Sequence, residues 1–192
     1  MAGGLGGTMH LIEAPPYPLV NRLQFAELCT ARGIRRAVEV GTDRGLFAAP
    51  FLERWTTGEI LVCVDPWAPY AHMPFDRLPD LLIAAQLLAP FRSRVRLLRM
   101  TSLEAARQLP GMPYHDPGFV YLDGDHDYEA IRADLEAWYP LVVPGGILAG
   151  HDYVGECPGV RRAVDEFAAR ERLEIQITAD PEEAHSWWID KG

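Results

Sequence analysis

The sequence predicts an α/β protein built on a doubly wound, mostly parallel sheet. Three observations carry that expectation. Short apolar runs such as Phe119-Val120-Tyr121-Leu122 end in polar, glycine-broken corners, as strands buried on both faces do. These runs alternate with helix-length amphipathic segments, the order that winds a parallel sheet. The last two apolar stretches, 173–178 and 184–189, are separated only by 179–183, so the chain should close on a hairpin whose final strand runs antiparallel. Seven strands result.

Taken in order, residues 1–18 form a flexible lead-in, Gly-rich to Thr8 and then carrying Pro15, Pro16 and Pro18. A single domain of 19–192 should follow, since 192 residues suit one core. From Asn21, Leu23, Ala26 and Cys29 share a helical face, with Asn21 suited to cap the start and Gly33 the end. Ala37–Gly41 reads as a buried strand. In the helix expected within 44–56, Pro50 demands a kink or a start near Ala48 that leaves it in the first turn. Glu59–Asp65 is the second strand, and a loop over 66–77 precedes a helix over Leu78–Ala89. Arg94–Arg99 is the third strand. Thr101 and Glu104 have capping-box spacing for a helix to Leu109. After the strand ending at Asp123, helix 128–140 should bury Tyr128, Ile131, Leu135, Trp138 and Tyr139, with Asp127 as its cap. The fifth strand runs from Gly146 to His151. The helix beginning near Pro158 turns Val160, Val164, Phe167 and Ala168 inward, and at least one of Trp187 and Trp188 is core.

Composition narrows the function. With 48% hydrophobic and 23% charged residues the chain reads as a soluble globule, and no apolar run approaches membrane-spanning length. A formal charge of -9 with scattered arginines and a single lysine, Lys191, argues against nucleic acid. Cys29, Cys63 and Cys157 are far apart and without CxxC, as expected of reduced thiols in a cytoplasmic protein. No leader segment is legible at the start.

The chemistry gathers at strand ends. Asp123, Asp125 and His126 follow one strand, His151 and Asp152 the next, and a βαβ unit should set both groups side by side at the carboxyl edge of the sheet. Glu39-Val40-Gly41-Thr42-Asp43-Arg44-Gly45 forms the first strand–turn junction, where Gly41 permits a sharp turn and Gly45 a close approach. Asp65, 24 residues after Gly41, ends the second strand where an acid can accept both hydroxyls of a ribose. Glu39 would repel a pyrophosphate and favour a cationic ligand.

These residues resemble a class I S-adenosylmethionine-dependent methyltransferase, a Rossmann-like fold. ExGxxxG at 39–45 is similar to motif I of catechol-type, cation-dependent O-methyltransferases. LDGDHDYE at 122–129, DLEAWYPLVVPGG at 134–146 and GHDY at 150–153 resemble a small-molecule family that includes macrocin O-methyltransferase-like and cephalosporin-hydroxylase-like proteins. The likeness runs from about residue 20 to the end. It implies S-adenosyl-L-methionine held at its methionine part by Glu39, Gly41, Thr42 and Gly45, at its ribose by Asp65 and at its adenine by Ser102. It also implies a divalent cation on Asp123, His151 and Asp152, with Asp125 as the alternative to His151 for completing the shell. Mg²⁺ is expected first; an imidazole from His151 departs from the pattern and favours Mn²⁺, Fe²⁺ or Zn²⁺. His126 matches the basic residue that follows the first Asp and so the base; it reads equally as a cofactor-contacting or supporting histidine. Asp123 reads also as a cofactor-contacting acid. Asp43, in place of a glycine, and Pro50 depart from the family's loop.

Trp67, Tyr70 and Tyr153 read as acceptor-pocket lining or as plain packing, and His72, His115 and His185 as surface histidines. The acceptor implied is a sugar or natural-product hydroxyl, and a homodimer could close so bare a site. Two other readings compete: a non-catalytic nucleoside-binding protein, and a metal-dependent hydrolase suggested by the GDH and GHD fragments. The hydrolase lacks an early DxH and late histidine pairs, and GxGxxG of a dinucleotide enzyme is missing too.

Overall fold

The computed structural model describes residues 19–70, 73–179 and 184–192. Seven strands form one sheet: β1 Arg36–Val40, β2 Ile60–Asp65, β3 Val95–Arg99, β4 Phe119–Leu122, β5 Ile147–Gly150, β6 Gln176–Ile177 and β7 Trp187–Asp190. Their order is β3-β2-β1-β4-β5-β7-β6. The first five pair in parallel, and β7 runs antiparallel to β5 and β6. The helices are α1 Phe25–Ala31, α2 Ala48–Arg54, α3 Leu78–Leu88, α4 Ser102–Gln108, α5 Tyr128–Trp138 and α6 Pro158–Glu171. Among the described residues no helix is long and apolar enough to cross a membrane.

Alternation along each strand explains the unbroken apolar runs, because both sheet faces are covered. Ala37, Leu61, Cys63, Phe119, Tyr121, Ile147, Ala149 and Trp188 face α1 and α2. Val38, Val40, Val62, Val64, Val120, Leu122, Leu148 and Trp187 face α4, α5 and α6. The first face is aromatic: Phe47 stacks on Tyr121 with centroids 4.2 Å apart, and Phe25 meets Phe119, Tyr121 and Trp188 at 5.4–5.8 Å. Both Trp187 and Trp188 are therefore core.

The helix starts follow their local chemistry. Asn21 and Gln24 make a reciprocal cap, which opens a 3₁₀ turn before α1, and Thr101 with Glu104 caps α4. Pro50 is the third residue of α2, where its missing N–H has no helical partner to lose. Asp127 occupies the N-cap position of α5 but makes no side-chain cap bond. The helix ends at Trp138 and tightens into a 3₁₀ turn at Tyr139–Leu141, with Pro140 inside it.

The terminal hairpin is shorter than the apolar pattern predicts. Leu173 and Ile175 pack against the α4–α6 face, and only Gln176 and Ile177 pair with β7. The expected turn at 179–183 lies, after Ala179, outside the described residues.

Lys191, the single lysine, has a structural post. Its Nζ donates to the carbonyls of Tyr139, Pro140 and Val142 at 2.9, 3.1 and 2.6 Å, over the Tyr139 ring. These are end-of-helix acceptors that otherwise need water. Lys191→Met should lower stability by about 1–2 kcal/mol, read as a lower urea midpoint at unchanged slope. An unchanged midpoint would show that water replaces the ammonium at no cost.

Candidate functional site

Strand order reverses between β1 and β4, the switch point where open sheets take ligands. The parallel ladder runs past the strands here and fixes the loops in register. Gly41 N–H donates to Val64 O at 2.8 Å, Asp123 N–H to Val40 O at 2.8 Å, and His151 N–H to Leu122 O at 3.0 Å. Glu39, Asp65, Asp123 and His151 share the parity of the residues facing α1 and α2. Sequence position alone thus brings four polar residues to one side of one sheet edge.

Gly41 has φ +88°, and a Cβ there would stand 1.9 Å from the Asp123 carbonyl oxygen. Only glycine lets the first loop cross the end of β4 so closely. Gly45, at φ +77°, lies against Leu88 and Ala84 of α3.

Glu39 is 1% exposed and sits between Cys63 and Tyr121 in the register. Its Oε2 accepts from the Thr42 hydroxyl at 2.8 Å, and the Cys63 thiol also donates to it. Burial pushes its carboxyl up to about 8; the two hydrogen bonds oppose this, and the negative charges of Asp123 and Asp65 add to it. A buried acid surrounded by acids is a place for a cation.

Asp65 shapes the neighbouring loops. Its Oδ1 accepts from Trp67 N–H at 2.7 Å and its Oδ2 from Asp43 N–H at 2.9 Å. Both donors belong to residues in the left-handed region, Trp67 at φ +39° and Asp43 at φ +48°, where an aromatic residue is strained. The fully buried Trp67 indole returns a bond to the Asp43 carbonyl at 2.7 Å, so Trp67 here is packing. Buried Arg77 bonds Asp43 and also Asp80, at 2.7 Å, and Asp80 takes Arg44 at 2.8 Å. Burial raises the Asp65 carboxyl, and the two N–H groups and Arg77 oppose the rise.

At the other end, His151 Nδ1 lies 3.2 Å from Asp152 Oδ2 and 3.8 Å from Asp123 Oδ1. His126 Nε2 lies 3.0 Å from the same Asp152 oxygen. Asp152 takes this position with φ +58°. Burial opposes its ionisation, but the bonds from His126 and His151 outweigh that and hold the carboxyl below the usual range. The Asp152 bond raises the His126 imidazole. Burial raises Asp123, against the pull of His151 and of Arg22, whose Nη1 is 3.5 Å away.

Asp123, His151 and Asp152 offer donor atoms within 4.8 Å of one another. Two carboxylates and one imidazole are a workable set for a divalent ion, so the residues fit the cation that the resemblance implies. Asp125 does not join them; its Oδ1 accepts from Asp127 N–H at 3.0 Å.

Ser102 opens α4 and bonds across to α5. Its hydroxyl donates to Asp134 at 2.5 Å and accepts from the Trp138 indole at 2.8 Å, so its proton is spent on fastening α4 to α5. His115 is exposed as expected, and His72 lies outside the described residues. His185 is half-buried, with a buried Nδ1 that has no hydrogen-bond partner among the described residues. Arg22 and Arg77 carried no local signal, because they reach Asp123 and Asp43 by long-range packing.

A sequence profile described as a methyltransferase domain matches residues 38–153, more than half the chain. The fold is similar to that of an O-methyltransferase from Bacillus cereus solved with S-adenosylhomocysteine: TM-score 0.68, 21% identity, 92% of this chain and 84% of that one. It is also similar to TomG, an O-methyltransferase of tomaymycin synthesis from Streptomyces achromogenes solved with S-adenosylmethionine: TM-score 0.66, 17% identity, 88% and 79% coverage. Protein y4gI of Sinorhizobium fredii is 26% identical over 121 residues, which are 62% of this chain and only 13% of that much longer protein. With the profile covering the β1–Tyr153 core, the chain belongs to the methyltransferase domain family, and its fold is similar to that of these two solved O-methyltransferases.

Proposed function

We propose that this protein transfers the methyl group of S-adenosyl-L-methionine to a hydroxyl of a small molecule, with a divalent cation assisting. The observation that carries the reading is the gathering of Glu39, Asp65, Asp123 and the His151–Asp152 pair at the switch point. Asp65 accepts the ribose hydroxyls with the lone pairs left over from Trp67 and Asp43. Glu39 offers its buried carboxyl to the ammonium of the methionine part, beneath the Gly41 turn. Asp123, His151 and Asp152 hold the cation, Mg²⁺ or, given the imidazole, Mn²⁺. When bound, such an ion acidifies and orients the acceptor hydroxyl.

In the transfer, the acceptor oxygen forms a bond to the methyl carbon as the carbon–sulfur bond breaks, and S-adenosylhomocysteine leaves. The hydroxyl proton passes to neutral His126, and Asp152 at 3.0 Å stabilises the imidazolium formed. A base so placed contributes about 10²–10⁴ in rate. Much of the rest comes from holding the acceptor in line with the methyl group.

Calorimetric titration of chelator-treated protein with S-adenosylhomocysteine, with and without Mg²⁺, tests the reading. Saturable binding at one site per chain is expected. Folded protein that binds nothing in either condition would overturn it.

A further inference from the structure

We propose that His126, Asp152 and Cys157 form a second cation position, on the solvent side of the first, that takes a thiophilic ion such as Zn²⁺ in preference to Mg²⁺. The donor atoms of these three residues lie within 4.8 Å of one another, and His126 Nε2 is already 3.0 Å from Asp152 Oδ2. Zinc holds nitrogen and oxygen at about 2.0–2.1 Å and sulfur at about 2.3 Å. Side-chain rotations of about an ångström therefore bring all three donors onto one ion. Water completes the tetrahedron.

The backbone builds this convergence. Val154 N–H bonds Asp152 O at 2.8 Å and Cys157 N–H bonds Val154 O at 3.3 Å, so the chain doubles back between Asp152 and Cys157. Gly159, in the first turn of α6, lies so close to the β4–α5 loop that a Cβ would meet His126 O at 2.7 Å and Tyr128 N at 2.8 Å. That contact brings the start of α6, and Cys157 at its N-cap, against His126.

Donor chemistry sets the preference. Thiolate and imidazole favour zinc and its neighbours, whereas Mg²⁺ takes oxygen. Free of metal, Cys157 is a thiol, raised by burial and by the charges of Asp152 and Glu156; an incoming ion displaces its proton to solvent. The His126 side chain is 48% exposed, which leaves an entry path. Asp152 belongs to both positions, so the two are coupled. Where His126 is the base, as proposed above, an ion on its Nε2 withdraws it from proton transfer, and the second position is inhibitory.

Metal-free full chain titrated with Co²⁺ reports the site directly. A near-ultraviolet thiolate-to-cobalt band should grow to saturation at one equivalent and survive a large excess of Mg²⁺. Cys29 and Cys63 are buried in the core, so the band belongs to Cys157. Cys157→Ser should abolish it and weaken Zn²⁺ binding, read by competition with a chromophoric chelator, about tenfold or more. S-adenosylhomocysteine binding, measured alongside, should be unchanged in the variant. No thiolate band, displacement of the ion by Mg²⁺, or Zn²⁺ affinity in Cys157→Ser within twofold of the parent would each overturn the proposal. Loss of S-adenosylhomocysteine binding in the parent protein would instead strike the methyltransferase reading and leave the cation position standing.

Discussion

Replacing Asp65 by alanine should weaken S-adenosylhomocysteine binding by about 100-fold or more, with Asp65→Asn falling between. Two effects add. A carboxylate accepting two ribose hydroxyls makes charge-assisted bonds of about 1.5–3 kcal/mol each, and each ~1.4 kcal/mol is a factor of ten in affinity. The same carboxylate also holds Trp67 and Asp43 by their backbone N–H groups at 2.7 and 2.9 Å, both at positive φ. Its removal frees the two strained residues that it anchors beside the first loop. Asparagine keeps one acceptor oxygen but turns an NH₂ toward a backbone donor, so one loop anchor survives and the other becomes a repulsion. Titration calorimetry of the three proteins measures the series, and thermal unfolding separates loop release from loss of fold. Affinity in Asp65→Ala within twofold of the parent would remove Asp65 from the nucleoside site.

The division between what the sequence disclosed and what it hid follows the range of the interactions. Parallel strands are apolar because helices cover both faces, so Val38–Val40, Ile60–Val64 and Phe119–Leu122 announced themselves. Strand-end polar residues were legible because the ladder carries Asp123 and His151 to fixed heights beside Gly41. Caps within three residues, as at Thr101 and Glu104, were equally plain. Long-range contacts left no local trace. Arg22 arrives at Asp123 across 101 positions, and Ser102 meets Asp134 across 32. Alternation misled at Leu173–Thr178, where Leu173 and Ile175 alternate to pack rather than to pair. The His126–Cys157 approach depends on a doubled-back loop and a glycine contact; neither has a sequence period.

The charge of Glu39 yields the other large effect: S-adenosylhomocysteine affinity should rise with pH about ninefold from pH 6 to 7 and about fivefold from 7 to 8, then level off. Glu39 is 1% exposed, and what faces it is Thr42 from its own loop, Cys63 and Asp65 from β2, and Tyr121 and Asp123 from β4. None of these is a cation. Its carboxyl, near 8 in the free protein, is mostly protonated at pH 7. A bound ammonium favours the ionised form, so binding below pH 8 expels a proton. Calorimetry in two buffers of different ionisation heat should count close to one proton released per ligand at pH 7. Glu39→Gln should bind weakly and with a flat pH profile. The same linkage acts on stability with a definite sign. Because the folded value lies above the ordinary 4.5 of an unfolded chain, the Glu39 contribution is fully present below pH 4.5 and is lost as the pH rises through 8. Glu39→Gln should therefore raise the unfolding temperature of ligand-free protein more at pH 8.5 than at pH 6. A proton count near zero, with affinity constant from pH 6 to 8, would mean that Glu39 is already ionised or that the ligand's ammonium lies elsewhere.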